Sequence, residues 1–268
     1  MWFAATAMTC YRSKTFPFQA LHELGLGMLV LNIYDDAACQ MPLTVLKTEM
    51  CHTPGMKGLF WKRCLVKRPG WRASDYLWLF DMDIVPHYTF SLSAIEGWFE
   101  KTGAGIVQPS IRPAKPGGRM SDHADLNFEA MDGCAAMCVN VEVMTPIFRM
   151  GVWHSFHGAI LDKIPNSMLA TTVRGIDQAF SGFSHLRGQD TLVLRHVQVV
   201  HLDTRGYDAL YRDAVGYDRP HGRTGLTVLD KLASMVRSSP IQATERYLWR
   251  HNASVMKAAA CGAARCRA

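Results

Sequence analysis

The segment YLWLFDMDIV (Tyr76 to Val85) carries the residues most suggestive of chemistry. Five apolar or aromatic residues run into Asp81, Met82 and Asp83, and apolar residues resume at Ile84. Carboxylates closing a hydrophobic run are costly unless a cation or hydrogen bonds compensate them. At i and i+2, where a strand turns into a loop, both can reach one hard cation through oxygen ligands. A divalent ion there bridges phosphates and neutralises a leaving diphosphate. The plainer alternative is a strand-end Asp closing a backbone turn while its neighbour stays in water. The apolar run in front favours the functional reading, because it fixes the strand end. His201 closes the late run VQVVH, where a neutral imidazole is able to join Asp81 and Asp83 as a third ligand. A lone His in that place also serves as a half-buried hydrogen-bonded residue. Asp177, in RGID, stands at a helix start, where the helix dipole favours a carboxylate whatever its function.

The elements that must position these residues read as alternating strands and helices. GMLVLNIYDD (Gly27 to Asp36) is a buried strand ending in Asp35 and Asp36. MKGLFWKRCLVKRP (Met56 to Pro69) reads as a short helix stopped by proline. The unbroken apolar run before Asp81 suits a central strand buried on both faces. A helix from Leu92 closes at Gly103, a strand follows over Ala104 to Ile111, and Ala135 to Phe148 resumes strand character. Met150 to Ile164 and Gly175 to Phe183 read as helices, and Thr191 to Asp203 as the late strand. Between them, Arg112 to Asn127 is rich in Gly, Pro and polar residues, a candidate flap over a site. This order predicts an α/β domain with a largely parallel sheet, whose ligands sit outside the carboxyl ends of the strands. Asp35, Asp36, Asp81 and Asp83 all fall at such ends.

With 268 residues, 49 % hydrophobic and 19 % charged, the chain has the balance of a globular protein with a core. Its formal charge of +6 is spread out, which favours an anionic ligand over a nucleic-acid partner. No run of apolar residues is long enough to cross a membrane. The opening MWFAATAMTCYRSKTF has no positive residue before its apolar patch, and so makes a poor signal peptide. Eight cysteines form no C-x-x-C pair or zinc spacing, and buried free thiols are expected, with one disulfide in a secretory setting. The sequon Asn252-Ala253-Ser254 matters in that setting alone.

Seven blocks in order resemble a plant-rich family of unknown function described as "lysine-ketoglutarate reductase trans-splicing related". They are IYDD (Ile33 to Asp36), KGLFWKR (Lys57 to Arg63), WLFDMDI (Trp78 to Ile84), IVQP (Ile106 to Pro109), NVEVMTPIF (Asn140 to Phe148), RGID (Arg174 to Asp177) and VVH (Val199 to His201). Met82 departs from the family's Glu, Gly58 and Leu59 from its two tryptophans, and Arg174 from another. That family is similar to glycosyltransferases of the GT-A fold. The resemblance implies a single α/β, Rossmann-like domain over 26–212, between an N-terminal extension (1–25) and a partly helical C-terminal extension with a frayed tail (213–268). It implies transfer of a sugar from a nucleotide-sugar donor to an acceptor, with Mn2+ or Mg2+ held by Asp81, Asp83 and His201. It places Asp35 near the donor's base or ribose and Lys57 and Lys62 near its phosphates, with Asp177 as base and Glu142 as second choice. Such an enzyme works in the Golgi or secretory lumen if a targeting segment precedes this chain, and in the cytoplasm otherwise. Two alternatives stand beside it: a haloacid-dehalogenase-like phosphatase with Asp81 as nucleophile, and a GT-A-like domain that binds a nucleotide sugar or glycan without turnover.

Overall fold

Side-chain parity along the central strands sets the architecture. In the computed structural model, which describes residues 1–14, 16–36, 38–39, 46–114, 135–138, 141–170, 173, 176–202 and 261–264, the strands form one sheet. Strands β1 (Trp2–Met8), β2 (Met28–Ile33), β3 (Thr48–Cys51) and β4 (Tyr76–Leu79) run parallel, in the spatial order β3-β2-β1-β4. Beyond β4 come β8 (Ile147–Arg149), β6 (Ile106–Pro113), β9 (Thr191–His201), β7 (Ala135–Cys138) and β10 (Cys261–Ala264). Strand β8 is antiparallel to both its neighbours, which returns β6 and β9 to the direction of β4. The short β5 (Ile84–Pro86) pairs antiparallel with β9. The fold is therefore the expected α/β, Rossmann-like one, with a mostly parallel central sheet flanked by helices.

Alternation along each strand feeds two cores. Phe3, Ala5, Leu77, Leu79, Ile106 and Val193 face one layer, built by α3 (Lys57–Cys64), α5 (Met150–Ala159), α6 (Asn166–Leu169) and α7 (Ile176–Leu186). Trp2, Ala4, Trp78, Val107 and Leu192 face the other, covered by α2 (Phe18–Glu23) and α4 (Leu92–Thr102). Trp78 is completely buried and donates its indole N–H to Thr145 Oγ1 at 2.9 Å. Helix α4 begins at the Ser91 side-chain cap and ends at Gly103, whose φ of 70° is the left-handed turn that glycine supplies.

Two expectations need correction. Residues 1–25, expected as an extension, contribute β1, which lies between β2 and β4. Its alanines and threonine hid the strand, because small residues suffice on a position crowded by helices on both faces. The stretch Ala135 to Phe148, expected to have strand character with something new starting at Pro146, holds β7 and then β8, which begins directly after Pro146 and lies beside β4. Four of the eight cysteines expected as free thiols pair instead, Cys10 with Cys39 and Cys51 with Cys64. Of the expected C-terminal extension only Cys261–Ala264 lies among the described residues, and of the flap only residues 112–114. No helix among the described residues is long and apolar enough to cross a membrane.

The Cys10–Cys39 bond closes a sequence separation of 29, joining the turn after β1 to the loop after β2. Replacing both by serine is expected to lower the unfolding free energy by about 2–4 kcal/mol in a urea titration; an unchanged midpoint would remove the bond from the stability of this edge.

His157 on α5 is buried and donates Nε2–H to the Lys62 carbonyl at 2.9 Å. Burial, first, holds its pKa below the ordinary value, and His154 one turn earlier is lowered by burial and then by the charge of Lys67. Both imidazoles bind protons less readily in the folded chain, so their stabilising effect is complete above about pH 6.5 and is lost as pH falls through their depressed native values. The melting temperature is expected to fall below about pH 6.5, and His157→Gln, which keeps a donor for the Lys62 carbonyl, to flatten that fall.

Candidate functional site

Two acid–base pairs meet at the carboxyl edge of the sheet, one on each Asp of the D-M-D segment. Asp81 follows β4, and its backbone N–H donates to Met144 O at 2.9 Å while its carbonyl accepts from Ile84 N at 2.9 Å. It keeps the parity of Leu77 and Leu79 and so belongs to the layer of α3. Lys57, the first residue of α3, places Nζ 2.7 and 2.8 Å from the two Asp81 carboxylate oxygens. A third bond runs from Nζ to Val143 O at 3.0 Å, and Nζ lies 5.6 Å from the Trp61 ring centroid one turn along the helix. Asp83 accepts from His201 Nε2 at 3.2 Å, while its carbonyl accepts Leu202 N at 2.8 Å. The antiparallel pairing of Ile84 with His201 brings these two ends together.

The two carboxyls differ in electrostatics. Burial raises the pKa of Asp81, and the charge of Asp83 adds to the rise, against the opposing pull of Lys57 and then His201. Burial also works upward on Asp83, but the hydrogen bond and charge of His201 outweigh it, and its pKa lies below the ordinary carboxylate value.

Helix α3 reaches Asp81 because its N-terminus packs closely. A Cβ on Gly58 would stand 3.0 Å from Val173 Cγ1, 3.1 Å from Leu169 Cδ2 and 3.5 Å from Ile176 Cδ1. Gly58 is thus the contact that seats Lys57 beside the start of α7. Asp177 lies half-buried in the first turn of that helix. Ser184 at the other end lies at Gly105, just before β6, where an added Cβ would come 2.6 Å from Ser184 Oγ.

Gln108 has no place in the sequence-based site, and only its appearance in IVQP points to it. It is fully buried, and its Oε1 accepts Glu142 N at 2.6 Å. That bond fixes the residue before Val143, whose carbonyl holds Lys57. Gln108 Nε2 is buried and has no partner among the described residues.

The remaining expected residues are spread along the edge. Asp35 Oδ1 accepts Cys10 N at 2.8 Å, capping the short helix α1 (Cys10–Ser13) at the end of β1. Burial and then the charge of Asp35 push the neighbouring Tyr34 phenol up. Lys62 does not join the group: its Nζ donates to Ile164 O at 2.7 Å, on a different face of α3 from Lys57. Asp81, Asp83 and His201, expected as metal ligands, come to one edge, but Asp81 has both oxygens on Lys57 and Asp83 has one on His201. Among the described residues no three His, Cys, Asp or Glu side chains form a group able to hold a metal ion.

No family model matches the chain, and no curated protein matches it. Solved structures do. The chain is similar to 2-C-methyl-D-erythritol 4-phosphate cytidylyltransferase from Francisella tularensis at 11 % identity and a TM-score of 0.42, over 80 % of this chain and 99 % of that one. It is similar to A197 from STIV at 12 % identity and a TM-score of 0.42, over 75 % of this chain and 84 % of that one. Both are distant likenesses, and what this edge can do rests on its own side chains.

Gln108→Met keeps the volume and removes the acceptor for Glu142 N. It is expected to cost about 1–2 kcal/mol of unfolding free energy, read by urea denaturation. A loss within error would mean that Glu142 N finds another acceptor.

Proposed function

We propose that the carboxyl edge of this sheet binds a nucleoside-diphosphate sugar and transfers its sugar to an acceptor hydroxyl. One observation carries this reading: the Lys57–Asp81 pair lies at the point where the strand order reverses. From β1 the chain proceeds outward through β2 and β3, then returns across β1 to β4 on the other side. Open parallel sheets bind ligands in the crevice that such a reversal creates.

In this reading Lys57 supplies positive charge to the donor's diphosphate. Asp83, kept ionised and oriented by His201, lines the same crevice. Asp177, at the N-terminus of α7 beside the Lys57 turn, is the carboxylate assigned to take the acceptor's proton. Glu142, one residue from the Lys57 carbonyl contact, is the second choice. Asp35 at the end of β2 faces the side of the crevice assigned to the nucleoside. The two disulfides support an oxidising compartment such as the secretory lumen.

Calorimetric titration of UDP and of GDP tests the reading. One of the two is expected to bind, and Asp83→Ala to weaken it about tenfold or more while the far-UV spectrum stays unchanged. If neither nucleotide binds, the transferase reading falls, and turnover of simple phosphate esters becomes the activity to measure.

A further inference from the structure

The first Asp of a metal-binding D-x-D pair should present open oxygens, and here it does not. Lys57 Nζ meets both Asp81 oxygens, at 2.7 and 2.8 Å, and Val143 O at 3.0 Å. Those three bonds use every hydrogen an ammonium has. The pair is half-enclosed, with the Lys57 side chain 15 % and the Asp81 side chain 29 % exposed, so water screens it incompletely. The placement of the lysine is also against local preference. Lys57 opens α3, where the helix dipole repels a cation, and no acidic residue lies in that first turn to offset it. What holds the ammonium at this spot is therefore Asp81, the Val143 carbonyl and the nearby Trp61 ring.

We propose that Lys57 is an intramolecular competitor of divalent metal for the Asp81 carboxylate. The ammonium and a metal ion require the same two oxygens, and a cation bound to one excludes the other. While Lys57 is seated, Asp83 and His201 are left as a two-residue remnant, already bonded to each other. A phosphate-bearing ligand resolves the competition. Its oxygens give the ammonium another anionic partner within reach of a flexible four-carbon stem, and Asp81 is released to an incoming ion. Metal and diphosphate thus bind cooperatively, because each removes an obstacle to the other. The ligand step rests on the nucleotide reading given above; the competition at Asp81 does not.

The test is Mn2+ binding to the full chain, read from the paramagnetic resonance signal of the free ion. The wild type is expected to bind Mn2+ weakly alone and about tenfold or more tightly once UDP is present. Lys57→Met is expected to bind Mn2+ about tenfold more tightly than the wild type with no nucleotide, and Lys57→Met with Asp81→Asn to lose that gain. A gain of affinity does not arise from damage to the fold. A folded Lys57→Met chain with wild-type or weaker Mn2+ affinity overturns the proposal. If Lys57→Met does not fold, the wild type decides: tight Mn2+ binding without UDP, unchanged by UDP, overturns it. If neither UDP nor GDP binds under any condition while Lys57→Met still gains Mn2+ affinity, the nucleotide reading falls and the competition at Asp81 stands.

Discussion

The Lys57–Asp81 pair is the interaction on which the carboxyl edge depends. A carboxylate that ends a strand buried on both faces has lost most of its water, and the ammonium is what keeps its charge tolerable there. The same contact ties together pieces from three parts of the chain. Lys57 comes from α3, Asp81 from β4, and Val143 from the segment that leads into β8. The backbone bonds of Leu79 to Pro146 and Asp81 to Met144 run alongside it, extending the antiparallel β4–β8 pairing beyond the last paired residues of the ladder. Removing the ammonium leaves a half-buried carboxyl whose burial already favours the neutral form.

Two residues apart in sequence, the two acids are made different by what reaches them from elsewhere. Asp83 is turned toward β9, where His201 keeps it ionised; Asp81 is turned toward α3, and its ionisation depends on Lys57. Period-two alternation is the origin of neither difference, since both have the same parity. The difference arises after β4 ends, where Ile84 N bonds back to Asp81 O and the chain turns into β5. That turn carries Asp83 away from α3 and delivers it to the end of β9.

The sheet and this edge were legible in the sequence to the extent that hydrophobic burial writes itself into pattern. The run Tyr76 to Phe80 announced a buried strand and hence the position of Asp81, and the VQVVH run did the same for His201. Strand β1 was not legible, because Ala4, Ala5, Thr6 and Ala7 carry little side chain to form a pattern, although the strand is central. The disulfides were not legible either. Cys10 and Cys39 meet because parallel strands β1 and β2 end side by side, and no local spacing encodes that. Lys62 lies five residues from Lys57, on a different face of the helix, so two lysines in one motif reach two partners, the Asp81 carboxylate and the Ile164 carbonyl.

Gln108 and Lys57 show what a sharper reading would look for. Each violates a local rule, and each violation points at the site. A lysine at the first position of a helix with no acid in its first turn opposes the dipole, so a partner must come from outside the helix. A glutamine in the middle of an apolar strand demands two kinds of partner, a donor for its oxygen and an acceptor for its amide hydrogens. Glu142 N meets the first demand and none of the described residues meets the second. Residues that break local preference persist where the surrounding structure holds them, which is the condition of a site rather than of a core. Lys57, Asp81, Val143, Glu142 and Gln108 form one connected path from the crevice to the middle of β6. Substitutions along that path therefore act on the position of the Lys57 ammonium, whichever ligand it meets.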